Sequence, residues 1–270
     1  MRKPAPRIFD DPFAIDLLSP RMRRMVTNPV LRGLQRLLLG ALAPTLEGQV
    51  CSRSRFAEDA LEQAMAAGAT QFVLLSAGLD SFALRRPDLM ARLQVFEVDH
   101  PDTQRFKRAR LEDLGTALPE NLHFAPVDFE HEGIAEGLRR TSHDPGKRTF
   151  FSWLGTVPYL TEEAILGTLS DVVSLSPPGS ELVFDFCGPI ARLEPRDRRL
   201  IQRLLRYTAR RGEPLLSFEE PECLLEKICA LGFEQVELLD TPEQVRRYRA
   251  GRSDGLRVIP FAYLARLRRV

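Results

Sequence analysis

Thr70-Gln-Phe-Val-Leu-Leu-Ser-Ala-Gly-Leu-Asp80 and, after a polar interval, Gln94-Val-Phe-Glu-Val-Asp-His-Pro101 are the stretches around which this chain organises itself. Phe72 to Leu75 is a short apolar run with a β-branched residue, bounded by Gly68 and Gly78. It reads as a strand buried on both faces, as in a parallel sheet. Ser76, Ala77 and Gly78 are small enough for the backbone to turn sharply and come close to a ligand. Residues 81–93 form a short crossover with a break at Arg86-Pro87-Asp88. Gln94 to Val98 is the second strand, with the acids Glu97 and Asp99 at its end. Glu97 lies 19 residues after Gly78, the spacing at which a Rossmann fold grips a ribose hydroxyl.

The glycine pattern argues against one class of ligand. Ser76 stands where the first glycine of G-x-G-x-x-G belongs, and Ser81 where the third belongs. A pyrophosphate needs that close approach at a helix N-terminus, so a dinucleotide is disfavoured. A nucleoside without phosphates needs only the turn and the acid. The alternative is a strand and tight turn that hold no ligand.

At 270 residues the chain suits one α/β domain with additions, or at most two small domains. A hydrophobic fraction of 44% and a charged fraction of 28% are ordinary for a globular protein. The net charge of +1 provides no global field toward nucleic acid or membrane. Cys51, Cys187, Cys223 and Cys229 include no C-x-x-C pair and read as buried free thiols of a reducing compartment. The dispersed histidines suggest no zinc site. The apolar run Leu37–Ala43 is too short to span a bilayer, which makes a cytoplasmic location the expectation.

Residues 1–68 precede the first strand and read as helical. Asp11-Pro12 forms an N-cap with proline at the first helical position. A stripe of Leu31, Leu34, Leu37, Leu38, Ala41 and Leu42 marks an amphipathic helix, either packed on the core or serving as a lid over a ligand. Residues 55–67 are a strong helix closed by Gly68, with Arg53-Ser54-Arg55 at its start. Two arginines there oppose the macrodipole, which hints that one serves a carboxylate ligand; solvated surface arginines are the alternative. Helices follow over 102–114, 161–175 and 221–230. Strands follow from Asn121 through Asp128, over Thr149–Leu154, Glu181–Phe186 and Phe233–Leu239, and a last strand or apolar strip over Phe261–Leu267. Asp128 and Phe129, at the third strand's tip, suit an adenine, the acid meeting the exocyclic amine and the ring covering the base. The arginine-rich segment 189–217 reads as an amphipathic helix covering the rim of the site.

No G-x-S-x-G elbow is present, which disfavours an α/β-hydrolase. Around Gly146-Lys147 a phosphate loop fails, with Thr141 in place of the first glycine and Arg148 in place of Ser/Thr.

In this order the motifs resemble the leucine carboxyl methyltransferase family, and within it the bacterial branch that includes polyketide O-methyltransferases. The matching pieces are Phe9-Asp-Asp-Pro-Phe-Ala14, Arg53-Ser-Arg-Phe-Ala57, Leu75-Ser-Ala-Gly-Leu-Asp80, Phe96-Glu-Val-Asp-His-Pro101, Val127-Asp-Phe129, Trp153-Leu-Gly-Thr-Val-Pro-Tyr-Leu160 and Pro178-Gly-Ser-Glu-Leu-Val-Phe-Asp185. The resemblance implies a Rossmann-like class I methyltransferase fold, a mostly parallel sheet with an antiparallel edge strand, and S-adenosyl-L-methionine as cofactor. It implies a helical lid over 1–68 and a core over 69–270, with 189–217 as a helical cap insertion. Arg53 would grip the methionyl carboxylate, and Ser76, Gly78 and Asp80 would form the turn beneath the cofactor. Glu97 and Asp99 would lie by the ribose, Asp128 and Phe129 by the adenine, with Trp153 beside them.

Two departures stand out. Ser76 replaces the family's usual glycine, and Leu154-Gly155-Thr156 stands where a Glu-Gly pair is common, which argues against methylation of a protein C-terminus. The expected activity is O-methylation of a hydroxyl or carboxylate on a small molecule, with neither nucleic acid nor membrane as partner. A carboxylate acceptor arrives ionised and needs no base, whereas a hydroxyl needs one; Tyr159 and His100 are the candidates. A nicotinamide-dependent oxidoreductase and a non-catalytic cofactor-binding protein are the rival readings.

Overall fold

The computed structural model describes residues 7–129 and 131–270. The strands are β1 (Gln71–Leu75), β2 (Gln94–Asp99), β3 (Leu122–Pro126), β4 (Thr149–Trp153), β5 (Glu181–Cys187), β6 (Phe233–Leu239) and β7 (Ala262–Arg269). They form one sheet in the order β3-β2-β1-β4-β5-β7-β6. The pairs β1–β2, β1–β4, β2–β3 and β4–β5 are parallel. β7 runs antiparallel to both β5 and β6, so an antiparallel pair finishes that edge. The order reverses between β1 and β4, and ligands of such sheets bind beyond the strand ends at that switch point.

All five residues of β1 are buried: the apolar Phe72–Leu75 between two helical layers, and Gln71 with its amide donating to the Asp144 carbonyl and the Thr149 hydroxyl. On one face Val73, Leu75, Phe96, Phe151 and Trp153 pack with Leu138, Ile165 and Leu169. On the other, Phe72, Leu74, Val95 and Phe150 pack with Phe56, Leu61, Phe82 and Leu89.

The helices are α1 (Pro20–Thr27), α2 (Pro29–Leu39), α3 (Leu42–Ala66), α4 (Phe82–Arg85), α5 (Pro87–Met90), α6 (Pro101–Asp113), α7 (Ile134–Arg139), α8 (Glu162–Ser174), α9 (Pro195–Ala209), α10 (Pro221–Ala230) and α11 (Thr241–Arg249). The crossover breaks at Arg86 as expected, because the residue before a proline is pushed out of the helical region.

Several expectations are corrected. Asp11 does accept from the Phe13 and Ala14 amides, but it closes only a turn and no helix follows. The helix expected over 55–67 begins at Leu42, so Arg53 sits in mid-helix and opposes no macrodipole. The third strand ends at Pro126, leaving Asp128 and Phe129 in the loop beyond it. The leucine stripe is split, since Gly40 turns the chain at φ +54° and Leu42 opens α3. Of the four thiols only Cys187 is buried; Cys51 is half-buried, and Cys223 and Cys229 are exposed. The sequence reading places no helix at α7 or α11, whereas α1 lies within the stretch 1–68 that reads as helical.

His143 illustrates how the fold sets a pH limit. Its ring meets Phe96 edge-on, with centroids 5.3 Å apart. Burial pulls its pKa down to about 4. Because the folded pKa is depressed, the unfolded chain takes up the proton first as pH falls. Stability is therefore retained above pH 6.5 and declines between about 6.5 and 4. Thermal melts over that window should show the decline, and His143→Gln should flatten it. Parallel curves for the two proteins would contradict this account.

Candidate cofactor site at the strand tips

β1 runs straight into the turn that matters. Ser76 adopts φ +56° and Gly78 φ +52°. A left-handed conformation costs a non-glycine residue about 1 kcal/mol or more, and such strain concentrates at functional sites. The turn therefore imposes a left-handed backbone that Ser76 meets under strain. The Ala77 amide donates to the Val98 carbonyl at 3.2 Å, and the Gly78 amide donates to the Asp99 carboxylate. The other Asp99 oxygen accepts from the His100 amide at 2.7 Å. Asp99 therefore ties the β1 turn to the start of α6.

Two cavities meet at this turn, and Leu75 and Ser76 line both. The larger, about 1270 Å³, lies between the N-terminal segment, α3 and the β1 and β4 tips. Arg53, Gly78 and Asp80 line it together with Asp10, Glu47 and Arg252. The smaller, about 380 Å³, is walled by Phe129, Trp153, Ile134 and Leu160.

Arg53 reaches the tips from mid-α3. Its guanidinium is 3.1 Å from an Asp185 carboxylate oxygen at the end of β5. The other Asp185 oxygen accepts from the Gly155 amide at 2.5 Å. Gly155 has φ +77°, a backbone that favours glycine, and a Cβ there would push the Arg53 guanidinium from its place. About a quarter of the Arg53 side chain is exposed, which leaves N–H donors facing the cavity. In the sequence Asp185 stands out only as part of the strand Glu181–Phe186 and of the matching piece Pro178–Asp185. Its role follows from the long-range pairing with Arg53, for which no local signal exists.

Asp80 accepts from the Phe82 amide at 2.6 Å and lies 3.6 Å from Arg85. Burial is the main reason its carboxyl sits above the ordinary range; nearby Asp11 adds to the rise, and Lys107 opposes it. Arg85 in turn pairs with Glu58 of α3 and packs over the Phe9 ring. Ser81 donates to Asp11 at 2.7 Å. These contacts clamp the Asp10-Asp11-Pro12 segment against the cavity.

The remaining expected site residues are placed differently. Glu97 is fully buried beneath the tip, 2.6 Å from Lys107 of α6, and lines neither cavity. Its carboxyl is nevertheless held above the usual range because burial outweighs the ammonium. Asp99 also lines neither cavity. Asp128 turns toward His131 at 3.1 Å. The His100 Nδ1 accepts from the Asp102 amide at 3.2 Å, which gives that ring a helix-capping role. Tyr159 lies in a separate hollow of about 570 Å³ with Glu213, and burial raises the pKa of its phenol. A raised pKa leaves it protonated at neutral pH and poorly suited to removing a proton.

The arrangement fits an adenosyl group carrying an amino-acid tail. The site offers an apolar slot walled by Phe129 and Trp153, a strained turn at Ser76 and an arginine held by Asp185 at the cavity wall. This is the layout of a class I methyltransferase. The leucine carboxyl methyltransferase profile matches residues 1–173. YktD of Bacillus subtilis (strain 168), named for S-adenosyl-L-methionine-dependent methyl transfer, is 31% identical over 258 residues, 87% of this chain and 83% of its own length. A Frankia alni protein of the same description is 35% identical over 184 residues, 67% of this chain and 61% of its own. Among solved structures, a DUF574-family protein of Streptomyces avermitilis superposes with a TM-score of 0.61 at 18% identity, covering 90% of this chain and 91% of that one. A Thermobifida fusca protein named as a methyltransferase gives 0.60 at 18% identity, over 90% and 89%. The chain belongs to the leucine carboxyl methyltransferase family and is an S-adenosyl-L-methionine-dependent methyltransferase.

Ser76 provides a direct test of the strained turn. Ser76→Gly should raise stability by about 1 kcal/mol, and Ser76→Val should lower it by at least as much, in urea unfolding. Equal stability of the three proteins would show that the turn relaxes.

Proposed function

We propose that the protein transfers the methyl group to an oxygen, hydroxyl or carboxylate, of a small molecule held in the larger cavity. The observation that carries this reading is the cavity beside Arg53. Its roughly 1270 Å³ exceeds the 300–1,000 Å³ usual for one ligand, so cofactor tail and acceptor both fit. Its charged lining suits a polar acceptor. Leu154-Gly155-Thr156, in place of a Glu-Gly pair, argues for a small molecule over a protein C-terminus.

When bound, the cofactor supplies an electrophilic methyl on a sulfonium, and an in-line displacement joins that carbon to the acceptor oxygen as the C–S bond breaks. The chain's own part is alignment and exclusion of water. Arg53, held by Asp185 and Gly155, orients the methionyl carboxylate. Ser76 and Gly78 carry the backbone beneath the cofactor, while Trp153 and Phe129 flank the adenine. Residues 1–68 act as a lid over the core formed by 69–270, and 189–217 as a cap. A carboxylate acceptor needs no proton removed. For a hydroxyl, Asp80 is a better-placed proton acceptor than Tyr159 or His100, because it lines the cavity and they do not.

Calorimetry with S-adenosylhomocysteine should show binding to the wild type and a loss of about tenfold to a hundredfold in Arg53→Ala, through the lost charged hydrogen bond. Unchanged affinity would make Arg53 a purely structural partner of Asp185. Turnover against a panel of carboxylic acids and phenols should yield methyl esters or ethers; methylation confined to amines would contradict the oxygen-acceptor reading.

A further inference from the structure

The near-zero net charge conceals a strong segregation. From Leu17 to Leu46 the chain carries five arginines and no acid, and from Arg198 to Gly212 six arginines and no acid. The structure brings these segments together. Arg203 of α9 donates to the Leu38 carbonyl at the end of α2 at 3.4 Å. A cleft of about 470 Å³ between the two helices is floored by leucines and bordered by Arg203, Arg206, Arg210 and Arg211. None of these four forms an ion pair with a carboxylate among the described residues, and neither do Arg21, Arg24 and Arg32 of the first segment.

Beside this basic flank stands an apolar ridge. Val30, Leu34, Leu37, Leu31 and Leu38 share one face of α2, at helical spacing. That face points outward: Leu37 is 79% exposed, Val30 75% and Leu38 69%. No residue of α1 or α2 is buried. The opposite side of α2 carries Arg36, which lines the mouth of the cofactor cavity.

We propose that α1, α2 and α9 form a docking face for an anionic lipid bilayer, with the α2 leucine ridge entering the headgroup boundary and the arginines meeting lipid phosphates. An amphipathic helix with leucines on one face and arginines on the other binds membranes in this way, without spanning them. Charge complementarity selects the occupant. A second copy would set arginine-rich surfaces against each other, which disfavours a homodimer here. Among the described residues no helix is long and apolar enough to cross a membrane, so attachment is peripheral.

Co-sedimentation of the full chain with vesicles tests this. Binding to phosphatidylcholine–phosphatidylglycerol vesicles, absent with phosphatidylcholine alone and falling as salt rises, is the expected result. The paired substitutions Leu34→Asp with Leu37→Asp, and separately Arg206→Glu with Arg210→Glu, should each lower partitioning by roughly tenfold or more. All of these residues are exposed and lie outside the cofactor cavities, so S-adenosylhomocysteine binding should be retained and reports that the variants fold. No sedimentation with anionic vesicles, equal binding to neutral ones, or partitioning indifferent to both variant pairs would overturn the proposal. So would a lipid-free dimer abolished by Leu37→Asp, or binding of an acidic amphipathic peptide in place of vesicles, which would assign the face to another copy or to a protein.

Discussion

The ion pair between Arg53 and Asp185 is the contact on which the site depends. It joins the middle of α3 to the end of β5, and the second Asp185 oxygen holds the loop after β4 through the Gly155 amide. Three elements distant in sequence are fixed at one point at the switch of the sheet. Asp185 takes up only part of the guanidinium's five donors, and Arg53 also lines the larger cavity. An arginine held in this way loses little further side-chain entropy when a carboxylate binds. On the proposed reading, Asp185 and Gly155 are positioning residues for Arg53.

A second set of contacts closes the cavity from the N-terminal side. Glu58, Arg85, Ser81 and Asp11 link α3, the β1–β2 crossover and the N-terminal turn. Arg85 is largely desolvated, which lowers its pKa to about 10, still far above neutrality. The clamp therefore stays charged at any ordinary pH. Deeper in the sheet, Lys107 and Glu97 satisfy each other between β2 and α6. Removing one partner of such a buried pair typically costs about 3–5 kcal/mol, so this acid reads as part of the scaffold beneath the tip, while Asp99 ties the turn above it.

The sheet was largely legible in the sequence. Phe72–Leu75, Gln94–Val98 and Glu181–Phe186 are largely apolar runs with clear punctuation, and each strand extends its run by one residue. Proline positions also served well, as at Arg86. Helix α3 was misread because its first half lacks apolar periodicity and contains Gly48. That glycine is dictated by tertiary packing: a Cβ there would collide with the Arg257 carbonyl of a loop more than 200 residues away. The site was legible where one residue imposes a backbone demand, as at Ser76 and Gly78. It was not legible where two distant residues must meet, as for Asp185 with Arg53 or Glu97 with Lys107. The leucine stripe announced a helix correctly, but periodicity cannot tell a core-facing face from one that is exposed.

A crystal structure with S-adenosylhomocysteine bound tests the central claim most directly. The account predicts the ligand lying across the Ser76–Gly78 turn, its base between Trp153 and Phe129 and its carboxylate on the Arg53 guanidinium, with the Asp185 pair intact. A ligand seated elsewhere, or Arg53 still facing only Asp185 with the carboxylate bound by other residues, would contradict it.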